Sequence, residues 1–263
     1  MGILNVTPDS FFDGGVYNHS LDSAISRVDK MVKSGASIVD IGGESSRPGS
    51  KSVSLDEELS RVVPVVSAIA DRFDITISVD TTKSVVAKES ISVGANWIND
   101  ISMGRFDSKL SQVIANSNST VVLMHSRGVP KSMQDNPHYR DVMDEVISEL
   151  LVAVEFFKGC GVSEGNIILD PGIGFAKRYE DNINLLRGLD RFSSLGYKTL
   201  LGTSRKSFLG EATGRAVKDR VAGSLATVAS AYSQGVSLFR VHDVAATVDL
   251  LKVLSLIKGD NNG

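Results

Sequence analysis

Residues 37–49 read Ser-Ile-Val-Asp-Ile-Gly-Gly-Glu-Ser-Ser-Arg-Pro-Gly, a short β-branched run that halts in glycines and then in polar and charged residues. The run has strand composition, and the glycines end it. The same pattern recurs along the chain, with runs of strand character at 2–6, 37–41, 75–79, 97–99, 120–124, 166–169, 199–201 and 237–241. Longer helical patterns alternate with them, at 21–33, 55–72, 84–93, 109–116, 142–158, 179–189, 219–233 and 245–258. In the fifth, Val142, Val146, Leu150 and Val154, with Ile147 and Leu151, keep i, i+4 spacing. In the second, Asp56, Glu57 and Glu58 occupy the first turn, where carboxylates meet the positive end of the helix dipole. Strands that alternate with helices run parallel, because each return needs a crossover. Eight such units in 263 residues predict an α/β chain folded as a single (β/α)₈ TIM barrel, with its active site at the C-terminal ends of the strands. An open doubly wound sheet is the competing architecture. It is weakened because no G-x-G-x-x-G turn follows the first run.

Hydrophobic residues make up 42% of the chain and charged residues 22%, the balance of an ordinary globular protein. A net charge of −3 and a pI of about 5.8 argue against general affinity for nucleic acid or anionic membrane, both of which attract basic surfaces. Anion binding must therefore come from a few local cations. Cys160 is the one cysteine, so the chain has no intrachain disulfide and no cysteine cluster for zinc. No apolar stretch approaches the ~20 residues of a membrane span, and the start of the chain lacks the pattern of a signal peptide. The expectation is a cytoplasmic protein, one barrel domain over 1–258 with a disordered polar tail at 259–263.

Every strand run ends in polar chemistry. The first ends in Asn5 and runs into Thr7-Pro8-Asp9-Ser10, the third ends in Asp80, the fourth in Asn99-Asp100 and the fifth in His125. The sixth ends in Asp170-Pro171-Gly172, the seventh runs into Ser204-Arg205-Lys206-Ser207, and the eighth ends in Arg240-Val241-His242-Asp243. In a barrel these ends converge on one face. Taken singly, an Asp or Asn after a strand reads as a helix cap or turn former, and His125 as a packed, hydrogen-bonded histidine. Taken together, they exceed what capping requires. Asp80, Asn99 and Asp170 offer two carboxylates and an amide, which suits a flat heterocycle with several N–H donors and a carbonyl. Lys206 and its neighbours, with Arg240 and His242, supply cations for an anion. Asn5 offers an oxygen of the kind that Mg²⁺ takes alongside phosphate. The residues thus point to a heterocycle joined to a phosphate or pyrophosphate. The loop from Thr7 to about His19 carries Asp9, Phe11, Phe12 and Asp13 and reads either as a lid or as aromatic packing on the rim.

These motifs resemble those of the dihydropteroate synthases, in that family's order from end to end. MGILNVTPDSFFDGG opens the chain and DIGGESSRPGS follows from Asp40. Then come SVDT from Ser78, IND from Ile98, VVLMHSRG from Val121, LDPGIGF from Leu169, GTSRKSFLG from Gly202 and RVHDV from Arg240. The resemblance implies a transferase of folate biosynthesis and a sulfonamide target. The reaction it implies joins 6-hydroxymethyl-7,8-dihydropterin pyrophosphate to 4-aminobenzoate, giving 7,8-dihydropteroate and pyrophosphate. It implies a pterin slot of Asp80, Asn99, Asp170, Lys206 and Met124, and a pyrophosphate site of Asn5, Arg240 and His242 with Mg²⁺ at Asn5. The aminobenzoate wall would be Ser46, Arg47, Pro48, Phe175 and Ser207, and Asp13, Phe11, Lys206, Arg240 and His242 would be catalytic. A homodimer is implied too.

The sequence departs from the family pattern in four places. Phe12 stands where serine is usual, Ser46 where threonine is common, Ala176 where glycine is common and Ser126 where methionine is frequent. These bear on the aminobenzoate pocket and on loop closure. Members of the family usually carry a segment ahead of the first strand, whereas this sequence starts at the strand itself. Two other readings compete. A pterin-binding methyltransferase domain has no need of the SRKS and RVHD cations or the long first loop. A non-catalytic pterin-binding barrel has no need of candidate residues intact in every motif.

Overall fold

The computed structural model describes residues 1–7, 17–45, 50, 52–129 and 131–259, with 17–20 as backbone alone. Eight parallel strands form one sheet in sequence order: β1 (Gly2–Asn5), β2 (Ile38–Gly42), β3 (Thr76–Asp80), β4 (Trp97–Asp100), β5 (Thr120–Met124), β6 (Ile167–Asp170), β7 (Lys198–Leu201) and β8 (Leu238–Phe239). The sheet closes on itself. Ile3 N donates to Val241 O at 3.1 Å, Val241 N donates to Met1 O at 2.9 Å, and a parallel bridge links Gly2 to Val241. Closure explains why β8 is shorter than the predicted 237–241: beyond Arg240, whose N–H still bonds Leu201 O, pairing passes from β7 to β1.

The crossover helices are α1 (Tyr17–Lys33), α2 (Leu55–Ala70), α3 (Ser84–Ser92), α4 (Leu110–Ser117), α5 (Val142–Gly159), α6 (Tyr179–Arg187), α7 (Leu189–Ser193), α8 (Ser207–Thr213), α9 (Val221–Ser233) and α10 (Val244–Lys258). Gly188 divides the predicted 179–189 helix into α6 and α7. The sequence pattern did not predict α8. Caps fix the helix starts: the Ser54 hydroxyl accepts from Glu57 N at 3.3 Å, and the Asp141 carboxylate accepts from Asp144 N at 3.0 Å. The expected stripe on α5 is realised, with Val142, Val146, Leu150 and Val154 buried against the barrel. Glu58 does more than meet a helix dipole, because it is 1% exposed and pairs with Lys83, which also holds Glu44 at 2.5 Å. The tail residues 260–263 lie outside the described residues, and Gly259 caps α10 with a left-handed φ of 75°.

Alternation along the strands separates two cores. Val121, Leu123, Ile167, Leu169 and Leu201 belong to the large cluster under the helices. Their neighbours of opposite parity, Val122, Ile168 and Leu200, pack with Met1, Trp97 and Leu238 inside the barrel. Above that apolar plug, residues of the same inward parity turn polar on β3, β4 and β6, as Asp80, Asn99 and Asp170. The barrel therefore supplies a dry floor for whatever binds at its mouth. Leu150→Ala should cost about 2–5 kcal/mol in urea unfolding, because its side chain is fully buried. Val152→Ala, one turn face away and 70% exposed, should stay within about 0.5 kcal/mol of the parent.

Candidate active site

Strand parity decides which of the polar strand ends meet. Asp40 on β2 pairs in register with Ser78 on β3, and Asp80 pairs with Asn99 on β4. The Asp40 carboxylate, wholly buried, accepts from Ser78 Oγ at 2.6 Å, from Asn99 Nδ2 at 3.2 Å and from Arg240 Nε at 2.6 Å. Arg240 Nη2 donates to Asp80 at 2.9 Å. Asp80 and Asn99, expected in one slot, are thus brought together, and Arg240, expected with the pyrophosphate, reaches into the same cluster. They are joined by Asp40, a residue to which the sequence reading gave no role. A signal for it existed: a charged residue inside the β-branched run Ile38–Gly42, two positions from the glycine that ends it. A cavity of about 250 Å³, lined in part by Asp80, Glu44, Thr81 and Ile101, opens beside this cluster.

The opposite side of the slot comes from β5, β6 and the loop after β7. Met124 pairs with Asp170 in register. It packs with Ile101, Met133, Phe175 and Ala176 into a small buried apolar wall. Lys206 Nζ hydrogen-bonds Ile173 O and sits 4.7 Å above the Phe175 ring. Ser207 is exposed as the first residue of α8. His242 lies at the mouth, its Nδ1 3.0 Å from Ser204 Oγ. Asn5 ends β1, half-buried, with the space over Gly42 before it: a Cβ built on Gly42 would stand 3.7 Å from Asn5 Oδ1. Asp9, Phe11, Phe12 and Asp13, and Ser46, Arg47 and Pro48, lie outside the described residues.

Burial governs the ionisation of the slot. It pushes the Asp80 carboxyl up to about 7, against the pull of Arg240 and with the help of Asp40. It raises Asp170 as well, opposed by Lys206, and it lowers Lys206 to about 8, opposed by Asp170. Burial would lower Arg240 too, but Asp40 and Asp80 hold it above its usual value.

Not every strand-end residue joins the slot. Asp100 accepts from Ser102 N at 2.8 Å, Ser102 Oγ at 2.6 Å and Gly104 N at 2.5 Å, so it caps the loop after β4. Arg205, read as a cation for an anion, gives its guanidinium to both carboxylate oxygens of Asp243, at 2.9 and 2.6 Å. His125 is fully buried and packed, its Nε2 3.1 Å from Glu149 and its Nδ1 2.9 Å from the Nζ of Lys177. Lys177 was missed, since nothing in the sequence separates it from a surface lysine. Of the departures from the family pattern, Ser126 donates to Ile101 O at 2.7 Å, and Ala176 adopts a left-handed φ of 49°, a conformation that suits glycine.

A slot of carboxylates and an amide, an apolar wall and flanking cations defines a site for a polar heterocycle on a (β/α)₈ barrel. The chain belongs to the family of pterin binding enzymes, whose family model matches residues 1–242. It is 46% identical over 254 residues to a dihydropteroate synthase of Bacillus subtilis, covering 97% of this chain and 86% of that one. A crystal structure of the dihydropteroate synthase of Clostridium difficile in the presence of pteroic acid superposes with a TM-score of 0.92 at 42% identity, covering 97% of this chain and 95% of that one. The Xanthomonas albilineans dihydropteroate synthase with 4-aminobenzoic acid gives 0.92 at 41% identity, covering 98% and 92%.

Burial and the charge of Lys177 lower His125 to about 4. Between about 4 and its unfolded value near 6.5 the unfolded chain therefore binds the extra proton at this residue, so the His125 contribution to stability rises with pH across that window. Asp80, raised to about 7, binds its extra proton in the folded state over nearly the same window and pulls the other way. Lowering the pH from 6.5 to 4 should therefore cost the parent up to about 3 kcal/mol more than it costs His125→Asn, read as the difference between their urea titrations; coincident slopes would show that His125 does not carry the effect.

Proposed function

We propose that this chain condenses 6-hydroxymethyl-7,8-dihydropterin pyrophosphate with 4-aminobenzoate, releasing pyrophosphate and forming 7,8-dihydropteroate. The observation that carries this reading is the inward-facing set of Asp80, Asn99 and Asp170, with Arg240 bonded to Asp80 and Lys206 close to Asp170. The N–H edge of an aminopyrimidinone meets carboxylate acceptors there, and its flat face meets Met124 and Ile101. Arg240 spends Nε on Asp40 and Nη2 on Asp80. Its remaining Nη1 and the imidazole of His242 receive the pyrophosphate. The aniline nitrogen is neutral at pH 7, so the reaction needs no strong base. The demanding step is breaking the C–O bond at the pterin methylene, and cations aimed at the departing oxygens stabilise the charge that develops.

The half-buried amide oxygen of Asn5 at the strand end is a hard donor of the kind Mg²⁺ accepts beside substrate phosphates. Bound there, Mg²⁺ would supply additional positive charge to the leaving group. Phe175 and Ser207 border the aminobenzoate, together with Ser46, Arg47 and Pro48. The motif resemblance assigns Asp13 and Phe11 to the catalysis, with Asp13 steadying the pterin cation and then accepting the proton that the amine loses. For these loop residues the support is the motif resemblance.

Among the described residues no helix is long and apolar enough to cross a membrane, and the compartment we propose is the cytoplasm. The assembly we propose is a homodimer. Val253, Leu256 and Ile257 lie exposed on one face of α10 and offer apolar surface to a second copy. Light scattering should report twice the chain mass, and Leu256→Asp should reduce it towards the monomer.

The test of the activity is to mix the protein with the pterin pyrophosphate, Mg²⁺ and 4-aminobenzoate and to follow pyrophosphate. Release that requires aminobenzoate is expected. No release while the pterin substrate binds, or release indifferent to aminobenzoate, would sink the reading. Asp170→Asn should weaken pterin pyrophosphate binding by about 10–100-fold, the loss of a charge-assisted hydrogen bond worth about 1.5–3 kcal/mol.

A further inference from the structure

The loop that follows β6, residues 172–177, is built under constraint. Gly172 adopts φ 68°, and a Cβ there would fall 1.8 Å from His125 O, so this chain reversal is wedged against the end of β5. Gly174 has φ 82°, with the stem of Lys206 packed over it, and Ala176 holds its left-handed turn without glycine's freedom. Such a loop keeps one shape when its carbonyls are tied down. Two consecutive ones are: Phe175 O accepts from Lys177 Nζ at 3.0 Å, and Ala176 O accepts from the Tyr139 hydroxyl at 2.9 Å.

Both donors belong to one buried network. Lys177 is 2% exposed and burial lowers it to about 7; as an ammonium it has three acceptors to match three N–H groups, Phe175 O, His125 Nδ1 at 2.9 Å and His125 O at 3.4 Å. Because Lys177 donates to Nδ1, the imidazole proton resides on Nε2 and is given to Glu149 at 3.1 Å. Glu149 is also bound by Arg127, whose guanidinium lies 4.1 Å over the ring of Tyr139. The network therefore runs from α5 through the end of β5 to the two carbonyls beside the Phe175 ring. Lys206 Nζ stands 4.7 Å over that ring.

We propose that Lys177 is a positioning residue for the aminobenzoate site: anchored on His125, it fixes the carbonyl of Phe175 and so sets the Phe175 ring against Lys206. This rests on the functional reading above. A lysine serving stability alone would be replaceable by an apolar side chain of similar volume at little cost to binding. Lys177 instead is anchored by two contacts on His125 and gives its third to Phe175 O, in the loop that carries the aromatic wall.

The test uses Lys177→Met, which keeps the length of the side chain and removes every donor, and Tyr139→Phe, which removes one hydroxyl. In Lys177→Met the KM for 4-aminobenzoate should rise by about tenfold, the worth of one well-placed hydrogen bond. The affinity for pterin pyrophosphate, measured without aminobenzoate, should stay within about twofold. Hydrogen exchange, which needs no substrate, should quicken over residues 172–177 and stay unchanged over β2. Tyr139→Phe should move both readings in the same direction by less, and it reads the same loop if Lys177→Met does not fold. Equal losses for both substrates, or unaltered exchange in the loop, would overturn the proposal. Faster loop exchange in a protein that releases no pyrophosphate even when unaltered would defeat the functional reading and leave the loop assignment standing.

Discussion

A guanidinium ion taken out of water costs several kcal/mol unless its N–H groups find anionic partners, and Arg240 finds two. Asp40 takes Nε and Asp80 takes Nη2. Each carboxylate is itself buried and would be expensive alone. The three groups stand or fall together, and the rest of the barrel mouth is arranged around them. Asp40 also holds Asn99 and Ser78, so one wholly enclosed carboxylate orders side chains from β3, β4 and the end of β8. The apolar plug of Val122, Ile168 and Leu200 below keeps water from competing for these bonds.

The frame was legible because strand and helix periods are local properties. The eight strands and the principal helices fall where the patterns place them, to within a few residues. Where they do not, long-range geometry intervenes: β8 hands its pairing to Met1 and Gly2, far away in sequence. The helix α8 lacks an apolar period, and the residue before it, Lys206, gives no side-chain cap and turns its side chain to Ile173 O instead. Residue type and position at a strand end single out Asp80, Asn99, Asp170, Lys206 and Arg240, and the structure places all five at the C-terminal end of the barrel. Direction was harder. Asn99 and Asp100 are neighbours in sequence, yet only a decision about which parity faces inward separates a slot residue from a loop cap. Arg205 and Arg240 look alike as strand-end cations, but the first gives Nε and Nη2 to its neighbour Asp243, and the second gives them to Asp40 and Asp80. Lys177 could not be found, because what distinguishes it is enclosure by β5, α5 and Tyr139.

The two halves of the slot are held by different means. The β2–β4 side is fixed from below, by strand register and by Asp40. The β6–β7 side is fixed laterally, by loops with several left-handed residues, among them Gly172, Gly174, Ala176 and Arg205. Rigid strands suit a heterocycle that must be read edge-on. Loops pinned at chosen carbonyls suit a wall against which a second, smaller ring has to be placed and released.

Arg240 is already matched by carboxylates and Lys206 lies beside Asp170, so the mouth of the barrel holds little surplus positive charge before anything enters. An anion that settles there has Arg240 Nη1, His242 and any cation it carries to offset its charge. The ring to which it is joined therefore supplies much of the hold on it, and a bare anion of the same charge would leave more readily.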